Sequence, residues 1–257
     1  MTGKFDRVIH TVFGNKFANY HNLNEIPLID DNHYFNPSDH SKYFERVDNI
    51  DIYFKDIKNH LLNFINSYKC IVGCIAWLTD FDILDALSEK DVVSIVVQKE
   101  DFLRPDMNIK WSMSYRDWAL KLREKYENLP MRADRYDFPI VGRYSVCSSP
   151  ELQPVRCVGN YNSEKKPAFP RMHNKFIIGG HMRTYEDLSG CQFEAESVWN
   201  GSFNFTYNAR NSFENAQWIR DRGVAGTYYD EWAQIMLLSE PLNWSNAWIE
   251  PEWRIGT

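Results

Sequence analysis

Hydrophobic positions change period several times along the chain, and each change predicts an element. From Ile52 to Ile65 apolar residues recur at helical spacing, so a helix is expected there. Cys70-Ile71-Val72-Gly73-Cys74-Ile75-Ala76-Trp77-Leu78 is a short continuous apolar run, the pattern of a strand buried on both faces. Thr79 with Asp82 three residues on reads as a capping box that opens a second helix through Ile83, Leu84, Ala86 and Leu87. Two carboxylates so close, Asp80 and Asp82, also fit a metal site, but the cap is the better reading. Val92–Val97 is a second buried strand, and helix, strand, helix, strand in succession predicts an α/β layer with parallel strands.

Residues 101–135 read as mostly helical, with Trp111, Trp118, Leu120, Leu122 and Tyr126 as packing residues. The stretch 136–170 is loop-rich with short strands. Met172–Gly180 alternates polar and apolar residues as a strand. Residues 197–201 predict a strand, followed by a turn and a helix through about Arg210, and 214–220 predict a further strand. The first 50 residues are polar and weakly periodic and read as an N-terminal extension. The domain proper is placed at 51–240, and 241–257 is set apart as a C-terminal tail.

Composition narrows the class. In 257 residues, 44% are hydrophobic and 25% charged, which excludes a rod, a collagen and a disordered chain. No run of 18 apolar residues predicts a membrane-crossing helix, and the N-terminus lacks the apolar core of a secretory signal. The five cysteines fit no zinc framework, so free thiols in a reducing cytosol are expected. The net charge of −6 argues against a passive polyanion binder. The balance is uneven: Arg132–Lys175 holds eight basic and four acidic residues, leaving that stretch at +4 and able to focus an anion.

Within that gradient lies the chemistry. His173 and Lys175 stand two apart on a predicted strand and so point to one side. An imidazole beside an ammonium is costly to bury and well suited to face a phosphate. A second His-x-Lys, His40 with Lys42, has a polar context and reads as a surface feature at a helix start. Downstream, Ser202 and Asn204 occupy a turn where hydroxyl, carboxamide and free backbone amides form an oxyanion-binding corner.

MHNKFIIGG followed by VWNGSFNFTYNARNSFENAQWI resembles the phospholipase D superfamily, and within it the branch with one motif per chain that includes nucleases. The family pattern is His-x-Lys-x(4)-Asp, then Gly-Ser-x-Asn, then a Glu-Asn pair. IKNHLLNFINSYKCIVGCIAWLTDFDILDAL resembles its opening helix–strand–helix and GTYYDEWAQIMLL its closing helix, so the likeness covers about residues 52–238. It implies a mixed sheet flanked by helices. It also implies His173 as nucleophile, Lys175 and Asn204 on the phosphate oxygens, Ser202 lining the pocket, and Glu214 orienting His173. The family's aspartate falls at Gly180, with Asp187 as the available substitute.

The same resemblance implies a phosphodiesterase without metal or other cofactor. It would cleave DNA or RNA through a phospho-histidine, in a homodimer that brings two copies of His173 together. No stable membrane association is expected. Tyr161 and Phe169 are either base-stacking residues or loop anchors. Phospholipid cleavage, or a silent binding or scaffold module, are the alternative functions.

Overall fold

A computed structural model describes residues 22, 28–30, 33–35, 44–104, 112–130, 153–161, 169–185 and 190–250. His40, Lys42, Trp111, Cys147, Asp187 and most of the basic stretch lie outside the described residues.

Ten strands are described. Strands β1 (Leu28–Asp30) and β2 (His33–Phe35) form a small antiparallel pair of their own. The other eight are β3 (Phe44–Val47), β4 (Ile50–Tyr53), β5 (Cys70–Ile75), β6 (Val92–Gln98), β7 (Val155–Val158), β8 (Lys175–Tyr185), β9 (Gly190–Gly201) and β10 (Ala216–Ile219). They make one sheet in the order β3-β4-β10-β9-β8-β5-β6-β7. β5, β6 and β7 run parallel to one another, and every other neighbouring pair is antiparallel. The mixed α/β sheet expected from the sequence is therefore present.

Helices α1 (Ile57–Asn66), α2 (Phe81–Ser88), α3 (Met113–Glu127) and α4 (Arg222–Leu237) cover it. Alternation explains which face each strand residue serves. Ile71 and Ile75 of β5, Val93, Ile95 and Val97 of β6, Ile177 of β8 and Trp199 of β9 share a core with α1, α2 and α3. Their neighbours Cys70, Val72, Cys74, Val96, Phe176, Ile178 and Val198 pack with Tyr229, Trp232 and Met236 of α4 on the other side. Both faces of β5 and β6 are thus apolar, which is why their sequences show continuous runs.

Three local expectations change. Residues 50–53 are a strand, because Ile50–Tyr53 alternates intermediate and buried positions and pairs with β3 and β10. Helix α1 begins only at Ile57. The cap of α2 is Asp80, whose carboxylate accepts from the amides of Asp82 and Ile83 at 3.0 and 3.4 Å. Asp82 turns instead to the Lys58 ammonium at 2.5 Å, which also reaches both Asp80 oxygens. A lysine already occupies the place where two carboxylates suggested a cation. After β9 the chain forms a short 3-10 turn, Tyr207–Asn211, rather than an α-helix.

Both ends of the expected catalytic region differ from the boundaries drawn from composition. Sheet pairing starts at Phe44. Beyond Leu238, Glu240 exchanges two backbone hydrogen bonds with Cys157 of the edge strand β7, at 2.7 and 2.9 Å. Its carboxylate accepts from the fully buried Lys99 ammonium at 2.6 Å, and that ammonium also reaches the carbonyls of Asn246 and Trp248. Leu242 and Trp244 are buried in the core. A charge removed from water needs such complete pairing, and the pairing straps residues 240–248 to the sheet.

Candidate active site

The parallel strands β5 and β6 end on the same edge where β8 begins, β9 ends and β10 begins. Carboxyl ends of parallel strands in open α/β sheets are where ligands bind. Register fixes the neighbours: Ile75 faces Lys175, and Gly201 faces Ala216.

His173 precedes β8, not within it as the alternation suggested, and the strand starts at Lys175. Met172 is buried and its amide donates to the Gln98 side chain at 2.8 Å, while His173 is exposed. The Lys175 ammonium lies 3.2 and 3.3 Å from the two ring nitrogens of His173 and donates to its carbonyl at 2.8 Å. The expected pairing of imidazole with ammonium is therefore present. Partial burial, with the cations of Lys175 and Arg171, holds the His173 pKa below its ordinary value and favours neutral imidazole. Burial also lowers the pKa of Lys175, opposed by the nearby Glu214 carboxylate.

Across from this pair, Gly201-Ser202-Phe203-Asn204-Phe205 alternates. Phe203 and Phe205 are buried in the core, and that holds the intervening Asn204 in place. Trp77 joins the two halves. Its carbonyl accepts from the Phe205 amide at 3.1 Å, and the preceding Ala76 amide donates to the Asn174 carbonyl at 2.8 Å. The residue after Asn204 and the residue after His173 are thus pinned to consecutive positions of one backbone. The Trp77 ring meets the His173 ring edge-on at 5.4 Å, and the Lys175 ammonium lies 5.8 Å from its centroid.

Asn204 Oδ1 is buried and has no hydrogen-bond partner among the described residues. Such an orphaned acceptor costs free energy and calls for a hydrogen-bond donor. Ser202 and Glu214 are also brought together, but not in the expected roles. The Ser202 hydroxyl donates to Glu214 and accepts from the Asn215 amide at 3.0 Å, clamping the end of β9 to the start of β10. Glu214, in the loop before β10, accepts from Ser202 rather than from His173.

Two further residues belong here that sequence reasoning missed. Trp77 was read as strand core, yet it is half-buried at a parallel strand's carboxyl end. Glu100 follows β6 and accepts from the Trp77 indole N–H at 2.7 Å. Burial raises the Glu100 pKa, against the indole hydrogen bond. The signal for both was position: each lies just past the carboxyl end of a buried parallel strand. Among the described residues no group of three or more His, Cys, Asp or Glu side chains is set to hold a metal ion, and no helix is long and apolar enough to cross a membrane.

The uncharacterized protein L381 of Acanthamoeba polyphaga mimivirus is 30% identical over 244 residues, covering 90% of this chain and 77% of that protein. The chain belongs to the same family as L381. No family model matches the chain. Among solved structures, a phospholipase D family member, Nuc from Salmonella typhimurium, aligns over 74% of this chain and 95% of its own, with 18% identity and a TM-score of 0.43. NucT from Helicobacter pylori aligns over 74% and 96%, with 16% identity and a TM-score of 0.41.

Proposed function

We propose that the chain is a metal-independent phosphodiesterase that cleaves nucleic acid through a phospho-histidine shared chemistry of two subunits. The observation that carries this reading is the His173 imidazole beside the Lys175 ammonium, its pKa lowered, on a segment bonded to the same Ala76–Trp77 backbone that holds the residue after Asn204.

A phosphodiester is an anion that repels anionic nucleophiles, and neutral imidazole avoids that repulsion. A ring nitrogen of His173 attacks phosphorus and the bond to the leaving oxygen breaks. Lys175 and the Asn204 amide nitrogen hold the non-bridging oxygens as their charge develops. The leaving oxygen takes a proton from a second, protonated imidazole, which in this reading is His173 of a second copy in a two-fold dimer. That imidazole, now neutral, takes a proton from water as the water attacks phosphorus. The nitrogen–phosphorus bond breaks and His173 is freed. Ser202 positions Glu214, whose charge supports the protonated form of Lys175.

Nucleic acid is the favoured substrate because two exposed aromatic residues lie close in sequence to site residues, each with a cation over its ring. Phe169 is 70% exposed with Arg171 at 5.4 Å, just upstream of His173. Phe213 is 67% exposed with Lys55 at 5.2 Å, just upstream of Glu214. Stacking surfaces with interleaved cations suit bases and phosphates together. Tyr161, by contrast, packs against Trp244 at 4.9 Å and serves as an anchor. The buried free thiols of Cys70, Cys74 and Cys157 fit a cytoplasmic setting.

The test is cleavage of a labelled oligonucleotide in EDTA. Wild type is expected to cleave, and His173→Ala to lose at least ~10³-fold in rate, with a phosphate adduct on His173 in the quenched wild-type reaction. Loss of wild-type activity in EDTA removes the metal-free mechanism. Cleavage of phospholipid vesicles but not of oligonucleotide transfers the chemistry to lipid, and no adduct with either leaves a silent module.

A further inference from the structure

A cleft of about 470 Å³ opens on the chain segments that follow Trp77 and Asn204, and the phosphodiester chemistry does not use it. Its lining includes Thr79, Phe81, Asp82, Trp118, Tyr207 and Arg210. The cleft and the corner are built on the same two backbone segments. Trp77 contacts His173, and Thr79, two residues on, lines the cleft. Asn204 belongs to the corner, and Tyr207, three residues on, lines the cleft. The segments are stitched together between these points: the Phe205 carbonyl accepts from the amides of Thr79 and Asp80 at 2.8 and 2.9 Å. Two extended residues span at most ~7 Å, which is within the reach of a nucleoside from its own phosphate.

The walls specify a flat, polar-edged occupant. Tyr207 is 65% exposed, and the Arg210 guanidinium lies 3.8 Å from its ring centroid, so the two form one stacked platform. Trp118 is braced edge-on by Phe102 at 5.5 Å and by the tilted ring of Tyr115 at 5.2 Å. Phe81 carries the Lys125 ammonium 5.4 Å from its ring centroid. Among these rings the exposed Asp82 carboxylate, held through one oxygen by the buried Lys58 ammonium, presents an acceptor. A lipid tail gains nothing from a guanidinium and an ion pair in its wall. A heteroaromatic base uses both, stacking on the rings and offering its exocyclic edge to the charges.

We propose that this cleft receives one unpaired nucleobase adjacent to the scissile phosphodiester. The substrate at the moment of cleavage would then be single-stranded or locally opened. This assignment rests on the nuclease reading for its position but not for its test.

The test is binding, measured on the full chain carrying His173→Ala so that nothing turns over. Two fluorescent oligomers of equal length are compared by anisotropy at fixed salt, one of single-stranded DNA and one of the same backbone with every base removed. Tyr207→Ala and Trp118→Ala are each expected to weaken the base-bearing oligomer on the order of ten-fold and to leave the abasic one unchanged. Tyr207→Phe should restore affinity, which separates stacking from a folding defect. Equal losses on both oligomers, no loss on either, or failure of both to bind overturns the cleft assignment. Base-dependent binding without cleavage by the wild-type chain leaves the cleft standing and removes the catalytic reading. Cleavage that is indifferent to Tyr207→Ala and Trp118→Ala does the reverse.

Discussion

His173 holds its proton weakly for three physical reasons. Burial penalises the cation first, and Lys175 and then Arg171 add like-charge repulsion. Of these, Arg171 is exposed and outside the proposed chemistry, so it isolates the electrostatic contribution. Replacing Arg171 with Gln removes one repulsive charge, so His173 binds its proton more tightly. Its pKa moves up toward the ordinary histidine value. The protonated ring is not a nucleophile, and the acid limb of the rate profile therefore moves to higher pH. The expected result is slower turnover of a small phosphodiester on the acid side, with the plateau unchanged. A small substrate is needed because Arg171 also lies over Phe169 and would contact a polymer. In a two-fold site the limb belongs to the coupled pair of histidines. The direction holds regardless, since both copies lose the same charge. A lowered plateau without movement of the limb would assign Arg171 to binding rather than to proton affinity.

At the scale of elements, close packing along β8 leaves no room at Gly180 for the aspartate of the phospholipase D pattern that the sequence resembles. The β8–β9 ladder shifts register between Gly179 and Gly180. A Cβ at Gly180 would lie 2.1 Å from the Glu194 carbonyl oxygen and 2.9 Å from the Phe193 ring, and one at Gly179 would lie inside the Tyr68 ring. Backbone cannot yield as a side chain can, so no aspartate fits at 180 while the bulge persists. Gly180→Asp, which supplies the aspartate of the pattern that the sequence resembles, is expected to destabilise the chain by ~1–3 kcal/mol and to give no gain in cleavage. A variant that melts no lower than wild type in thermal unfolding refutes the steric account. The bulge was not legible in the sequence, since two glycines on a strand signal close approach without saying which partner approaches. Buried strands were legible for the opposite reason: Cys70–Ile75 and Val92–Gln98 are apolar on both faces, and only a doubly covered strand explains that. Residues 50–53 misled because two apolar residues fit either period, and pairing with β3 and β10 decided the outcome. The Asp80 cap was displaced by one residue from Thr79 because two neighbouring cap formers compete, and Lys58 fixes Asp80 in place. In the site, the His173–Lys175 pair was readable from its spacing together with its setting in an apolar strand, since His40 and Lys42 share the spacing. The Ser202–Glu214 bond was not, because it depends on which strands are neighbours.

For the whole molecule, one chain supplies one nucleophile and one clamp, whereas the proposed displacement needs an acid opposite the nucleophile. In the proposed reading the two halves of the chemistry come from two chains, and that reading has a numerical consequence. If each site needs His173 from both subunits, a mixed dimer of wild type and His173→Ala has no working site. With free exchange, activity per total protein then falls as the square of the wild-type fraction, so an equal mixture retains about a quarter. If each chain instead carries an independent site, the fall is linear and half remains. Mixing before and after exchange, with oligomeric state followed by sedimentation, separates these cases without any structural assumption about the interface. The mutation suits the purpose because His173 is exposed and its ring contacts are confined to Trp77 and Lys175, so assembly is expected to survive its loss. A linear dependence, or full activity in a species that sediments as a monomer, would leave the chain to find its proton donor within itself. Glu100 is then the group to test, since burial raises its pKa and it accepts from the Trp77 indole, whose ring meets that of His173.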